Sequence, residues 1–207
     1  MEQNTLGEFH YKANIFKVLS ELFKKPEQEH EELFPALVEA IDALFPQLTI
    51  RVEKLKGTFE NEDLAKSQTL LIDYAKLFVG PFNMLAPPYG SVYLEESQQI
   101  QGESTKHVER LYEIAGIEKV SEFHEPADHI VVEFEFVYYL YCMYIETNEL
   151  NYLVLIKDFV NNHLGRWVLQ FTDRIEEQAT HEYYKQLSII TSGIMTLEME
   201  NLTVETR

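Results

Sequence analysis

The sequence predicts an all-α protein: a single bundle of about ten helices in one domain spanning 1–207, with a long Pro/Gly-rich loop near its middle. Two observations predict it. Apolar residues recur at three-to-four spacing along most of the chain, the period of a helix face. Strand signals are scarce, with little sustained alternation and no Asn-Gly or Asp-Gly hairpin turn.

The elements follow in order. Ile15, Val18, Leu19, Leu22 and Phe23 mark a first helix that Lys24-Lys25-Pro26 ends. Leu33, Leu37, Ile41 and Leu44 give a second, closed by Pro46. Leu64, Leu71, Tyr74, Leu77 and Phe78 give a third, closed by Gly80-Pro81. The run "GPFNMLAPPYGS", 80–91, carries Pro81, Pro87, Pro88, Gly80 and Gly90 and reads as a loop. A helix near 98–116 ends at Gly116, and 117–127 is polar. A long helix is expected over 128–147, with Pro126 in or just before its first turn. Leu150–Asn161, Leu164–Gln178 and a last helix from about His181 to Met199 complete the chain. Loops 80–91 and 117–127 are expected to act as hinges, giving a monomer with a minor domain-swapped dimer.

Charge narrows the function. The net charge is −18, from 35 acids against 17 bases, which repels phosphate backbones and argues against a nucleic-acid role. A cationic peptide or protein partner fits better. The single cysteine, Cys142, lies in an apolar segment, so no intrachain disulfide forms and a reducing cytoplasm suits the chain. The longest apolar run, "FVYYLYCMYI", is far shorter than the ~20 residues of a membrane span, and the N-terminus lacks a signal-peptide pattern.

The stretch "HEPADHIVVEFEF", 124–136, concentrates ionisable groups at the head of an apolar helix. From Val120 to Ile156 there is no Lys or Arg, yet Glu122, Glu125, Asp128, Glu133, Glu135, Glu146 and Glu149 fall there. Their counter-ions come from distant residues or from a partner. On a helical wheel of about 100° per residue, Glu135 falls near Asp128, while His129 and Glu133 share a second stripe. From Phe136 on, apolar residues cover every direction, so the C-terminal half should be buried and the N-terminal half should emerge. A metal-binding or hydrolytic protein using His129, Glu133 and Asp128, with His124 in place of Asp128 as the other choice of third metal ligand, is the alternative, although no recognised zinc, di-iron, HExxH, CxxC or GxSxG pattern supports it. A Walker pattern is absent too.

"YAKLFVGP…APPYGSVYLE" (74–95), "EPADHIVVEFEF" (125–136) and "HLGRW" (163–167), followed by a terminal helix with Tyr183-Tyr184, resemble the TorD/NarJ-type chaperones, the redox enzyme maturation proteins. The resemblance spans about 70–200 and implies a TorD-like helical fold, a cytoplasmic location, no catalytic residues and no cofactor of its own. It implies as partner an apo molybdopterin oxidoreductase catalytic subunit, bound at its twin-arginine signal peptide and held for molybdopterin insertion before export. The family's Glu-Pro-x-Asp-His segment, here Glu125, Pro126, Asp128 and His129, is the part tied to signal-peptide recognition. Guanidinium pairs with carboxylate through parallel hydrogen bonds. Asp128, Glu125 and Glu135 are the candidate carboxylates, and Tyr89, Tyr93, Phe82 and Met84 the candidate wall.

Overall fold

The structure, a computed structural model, describes residues 2–61, 68–80, 83–117 and 125–204. Leu64, Phe82, Glu122, His124 and most of the expected hinge at 117–127 lie outside the described residues. Among those described, the chain is a bundle of helices with no strand. Helix α1 (Glu2–Leu22) leads through a 3-10 segment (Gln28–Leu33) to α2 (Phe34–Leu44). A 3-10 turn at Pro46–Leu48 opens α3 (Thr49–Glu60), and α4 (Thr69–Tyr74) runs into a π turn at Ala75–Val79. The short α5 (Gly90–Leu94) follows the loop, then α6 (Glu103–Ile114) and α7 (Ile130–Thr147). Helix α8 (Leu150–Phe159) passes through a second π turn (Val160–Leu164) into α9 (Gly165–Gln178), and α10 (Glu182–Val204) closes the fold.

Four elements depart from the sequence reading, the first being the short α5, which begins inside the expected loop 80–91. Helix α3 was not anticipated, because its apolar positions Val52, Leu55 and Phe59 form a narrow buried stripe among lysines and glutamates. The sixth helix starts at Glu103 rather than near 98. Gln98 and Gln101 have positive φ, and the Glu95 carboxylate accepts hydrogen bonds from the Ser104 N–H (2.9 Å) and hydroxyl (2.6 Å), capping the helix there. The long helix starts at Ile130, not 128. His129 is its N-cap, with extended backbone and Nδ1 accepting from the Val131 N–H at 3.2 Å. At its other end, left-handed Asn148 stops the helix.

Helix α7 lies along α1, and α10 packs on α9 and α3. Phe23 sits in the centre of an aromatic column, in contact with Phe78, Phe134 and Phe171. Polar ties hold α10 at several points, among them the buried Tyr183 hydroxyl on the Leu22 carbonyl at 3.2 Å. The buried Lys12 ammonium of α1 meets Glu198 at 3.3 Å, and Glu198 also accepts from the Tyr141 hydroxyl. At the helix start, buried Asp73 accepts from the N–H groups of Thr180 (3.0 Å) and His181 (2.8 Å). The head of α7 does not emerge as expected, while Phe136, Val137, Leu140 and Tyr141 in its far half are buried. Ile130, Val131, Glu133 and Phe134 at its head are buried, and Tyr138, Tyr139, Cys142, Met143, Tyr144 and Ile145 are half-buried rather than enclosed on every side. Helix α7 packs on α1 and α8, and Tyr141 in its far half also reaches Glu198 of α10.

The π turn before α9 needs a residue without a side chain at its exit. A Cβ on Gly165 would sit 2.2 Å from Met199 Sδ and 2.7 Å from the Val160 carbonyl oxygen. Gly165→Ala should therefore destabilise the fold by about 1–3 kcal/mol, and Met199→Ala should relieve only part of it, since the backbone contact remains. Urea denaturation checks this; an unchanged midpoint would show that the helices separate without cost.

Candidate functional site

The charged head of α7 is organised around a carboxylate that never meets water. Glu133 is fully buried. Its Oε1 lies 2.7 Å from His163 Nε2, and its Oε2 accepts from the Trp167 indole N–H at 3.0 Å. Both donors come from the "HLGRW" segment, one from the π turn and one from the first turn of α9. Burial pushes the Glu133 carboxyl up, against the pull of His163 and Trp167. Burial also opposes charge on His163, but the Glu133 charge and hydrogen bond outweigh it and hold the imidazole above its ordinary 6.5. The two groups titrate as a pair.

Trp167 carries the effect outward. Its indole packs so closely on Gly90 that a Cβ there would lie 3.1 Å from Nε1. Tyr93 stacks on the indole at 5.6 Å, with the Arg174 guanidinium 4.8 Å above the tyrosine ring. The start of α5 is latched to the chain just before α7. Asp128 Oδ2 accepts from the Ser91 N–H at 2.7 Å, and the Asp128 carbonyl accepts from the Gly90 N–H at 2.9 Å. The Ile130 N–H in turn donates to the Pro88 carbonyl at 2.9 Å, so Tyr89 and His129 form an isolated antiparallel bridge. A carboxylate at the head of α5 is favourable to the exposed amide dipoles there.

This latch shapes a cleft of about 190 Å³ lined by Phe23, Tyr74, Phe78, Val79, Met84, Pro88, Tyr89, Glu125 and His129. Its walls are aromatic and apolar. Among the described residues its carboxylate is the exposed Glu125, which accepts a hydrogen bond from the Tyr89 hydroxyl at 3.3 Å. Burial and then the Glu125 charge raise Tyr89 to about 12, and the same two causes raise Tyr74. Burial holds the His129 imidazole below its ordinary 6.5, although Glu125 and Asp128 favour its charged form. His129 is thus neutral at pH 7. With Nδ1 accepting from Val131, its proton resides on Nε2.

The structure divides the expected residues into two groups. Tyr89, Glu125, His129 and Met84 line the cleft. Asp128 is fully buried and holds Ser91, so it positions the cleft wall without reaching the surface. Glu135 pairs with Lys24 at 3.0 Å, an ion that also serves Glu21, so its counter-ion comes from the turn that follows α1. Tyr93 belongs to the Trp167 stack, and the half-buried Pro126 accepts from the His129 N–H through its carbonyl. The alternative set of His129, Glu133 and Asp128 does not converge: each is turned to a different partner, at Val131, His163 and Ser91. Among the described residues no group of three or more His, Cys, Asp or Glu is placed to hold a metal ion. Phe23, Tyr74, Phe78, Val79 and Pro88 were missed as lining residues. Tyr74, Phe78, Val79 and Pro88 stand within the quoted 74–95 segment, whereas Phe23 follows directly on α1 and carries no local signal.

Residues 27–173 match the family model described as nitrate reductase delta subunit. The chaperone protein TorD of Shewanella pealeana is 27% identical over 208 residues, covering 94% of this chain and 90% of that protein. TorD of Aliivibrio salmonicida is 26% identical over 178 residues, covering 83% and 77%. The crystal structure of an Archaeoglobus fulgidus protein assigned to redox enzyme maturation superposes with a TM-score of 0.59 at 23% identity, covering 89% of this chain and 93% of that one. That likeness shows the fold.

Removing Glu133 orphans two buried donors at once. Glu133→Ala should cost about 3–5 kcal/mol, and Glu133→Gln less, because an amide oxygen still accepts from Trp167. His163 is raised when folded, so its contribution is complete below pH 6.5 and is lost as pH rises through the raised value. Glu133, also raised, acts in the same direction. Urea titrations across pH should show the parent losing stability toward alkaline pH more than His163→Gln does. A loss under about 1 kcal/mol for Glu133→Ala would show that the junction carries little of the fold.

Proposed function

This chain belongs to the nitrate reductase delta subunit family, that of the TorD/NarJ-type chaperones, and we propose that it binds the twin-arginine signal peptide of an apo molybdoenzyme. It is a chaperone in redox enzyme maturation and not an enzyme. In this reading the client is the catalytic subunit of a molybdopterin oxidoreductase, held in the cytoplasm for cofactor insertion before export. No helix among the described residues is long and apolar enough to cross a membrane.

The observation that carries the reading is the cleft: an exposed carboxylate set on an aromatic wall. A guanidinium forks onto the Glu125 carboxylate through charge-assisted hydrogen bonds and lies against the Tyr89 or Tyr74 face. The apolar residues that follow the arginines in such a peptide meet Phe23, Phe78 and Val79. At about 190 Å³ the cleft is smaller than the roughly 300–1,000 Å³ usual for small-molecule sites, so it suits side chains of a peptide better than a cofactor or nucleotide. Neutral His129 places no opposing charge beside the guanidinium.

Calorimetry with a synthetic peptide bearing Arg-Arg and a following leucine-rich stretch tests this. Glu125→Gln should weaken binding by about 1.5–3 kcal/mol with an unchanged thermal melt, since the side chain is exposed. Lys-Lys in place of Arg-Arg should also bind more weakly, because an ammonium cannot fork. Affinity should hold steady from neutral pH through 6.5 and fall below it, where His129 protonates late and adds a cation to the cleft. Unchanged affinity in Glu125→Gln would place the peptide elsewhere.

A further inference from the structure

The shape of the cleft depends on where Tyr89 stands, since its ring lines the wall and its hydroxyl donates to Glu125. We infer, resting on the peptide-binding reading above, that Asp128 and Ser91 are positioning residues for this wall: Asp128 serves peptide binding by holding the Ser91 amide, and its charge makes no contact with a guanidinium.

Three hydrogen bonds fix the segment around Tyr89. Two are main-chain bonds, from the Ile130 N–H to the Pro88 carbonyl and from the Gly90 N–H to the Asp128 carbonyl, both 2.9 Å. The third depends on the side chain at 128: Asp128 Oδ2 accepts from the Ser91 N–H at 2.7 Å. Helix α5 has only five residues, too few to hold itself, and Tyr89 at its N-cap supplies no side-chain cap. Asp128 caps it instead from across the bridge. Asp128 has no exposed surface, so a guanidinium would have to displace the Pro88–Ser91 segment to reach it.

This tie uses one oxygen. At two other carboxylate caps the capped residue gives both its amide and its hydroxyl: Ser104 to Glu95 at 2.9 and 2.6 Å, and Thr180 to Asp73 at 3.0 and 2.8 Å. At Ser91 the hydroxyl does not join. Asp128 Oδ1 and Ser91 Oγ are both buried with no hydrogen-bond partner among the described residues. One acceptor oxygen is therefore what the junction asks of residue 128, and an amide supplies it as a carboxylate does. The amide NH2, in the place of Oδ1, enters a junction where the Ser91 oxygen can accept. Losing the charge does not disturb the cleft. Burial already keeps His129 neutral, and Asp128 only favours its protonated form.

Calorimetry on the full chain with the synthetic Arg-Arg, leucine-rich peptide tests this on Asp128→Asn, Asp128→Ala and Glu125→Gln. Asp128→Asn should bind within about twofold of the parent, and Asp128→Ala about tenfold or more weaker. The dependence of affinity on salt is a readout that an uncharged tie does not move. It should match the parent in Asp128→Asn and be shallower in Glu125→Gln. Where Asp128→Ala does not melt cooperatively, Asp128→Leu, of similar volume and without an acceptor, takes its place. A tenfold loss in Asp128→Asn beside the loss in Glu125→Gln would show that the charge is used, and this inference alone falls. Parent-like binding by Asp128→Ala, with Glu125→Gln weakened, would show that the tie does not position the wall, and again only this inference falls. Parent-like binding by Glu125→Gln places the peptide elsewhere, and both fall.

Discussion

A carboxylate enclosed by protein on every side must find its hydrogen bonds inside the fold, and Glu133 finds them only on one neighbouring segment. Both partners, His163 and Trp167, lie on that segment four residues apart. Holding the pair against α7 goes with the π turn at Val160–Leu164 and with a glycine at its exit, where Met199 and the Val160 carbonyl leave no room for a Cβ. Trp167, fixed by its indole N–H, then presses on Gly90 and supports the start of α5. The three sequence segments that carry the family resemblance are thus one physical object. Residues 74–95 supply Gly90 and Ser91, 125–136 supply Asp128 and Glu133, and 163–167 supply His163 and Trp167.

The junction and the cleft divide the acidic head of α7 between structure and recognition. Buried charges there are expensive unless paired, and each buried one has a designated partner within the chain. Among the described residues the exposed acid is Glu125, on the segment just before the latch, beside rings that come from the turn after α1, the end of α4, the π turn at Ala75–Val79 and the loop. A rigid base under an exposed carboxylate is what peptide recognition needs, because the ligand then meets a wall already in place. The large net negative charge adds long-range attraction for a cationic segment without fixing where it docks.

Much of the helical order was legible in the sequence because apolar spacing is a local property. Helices α1, α2 and α7 to α10 follow their 3–4 rhythm closely. Helix α3 was lost because Val52, Leu55 and Phe59 are diluted by charged neighbours. The site was legible only in part. Helical-wheel reasoning put His129 and Glu133 on one stripe, but His129 lies outside the helix as its cap, and the wheel does not apply to it. Glu135 looked unmatched because its partner, Lys24, is 111 residues away in sequence. Asp128 read as a surface grip because nothing local reveals that the amide of Ser91 comes to meet it. Pairings between distant segments are set by tertiary packing, which periodicity does not encode.

The most direct test of the account is hydrogen–deuterium exchange of the full chain with and without an Arg-Arg, leucine-rich peptide. Peptide binding in the cleft predicts new amide protection confined to residues 74–89 and 125–131, with the already buried amides around Glu133 and Trp167 unchanged. Protection appearing instead along the exposed side of α8, around Leu150 and Val154, with the cleft segments unaltered, would contradict it.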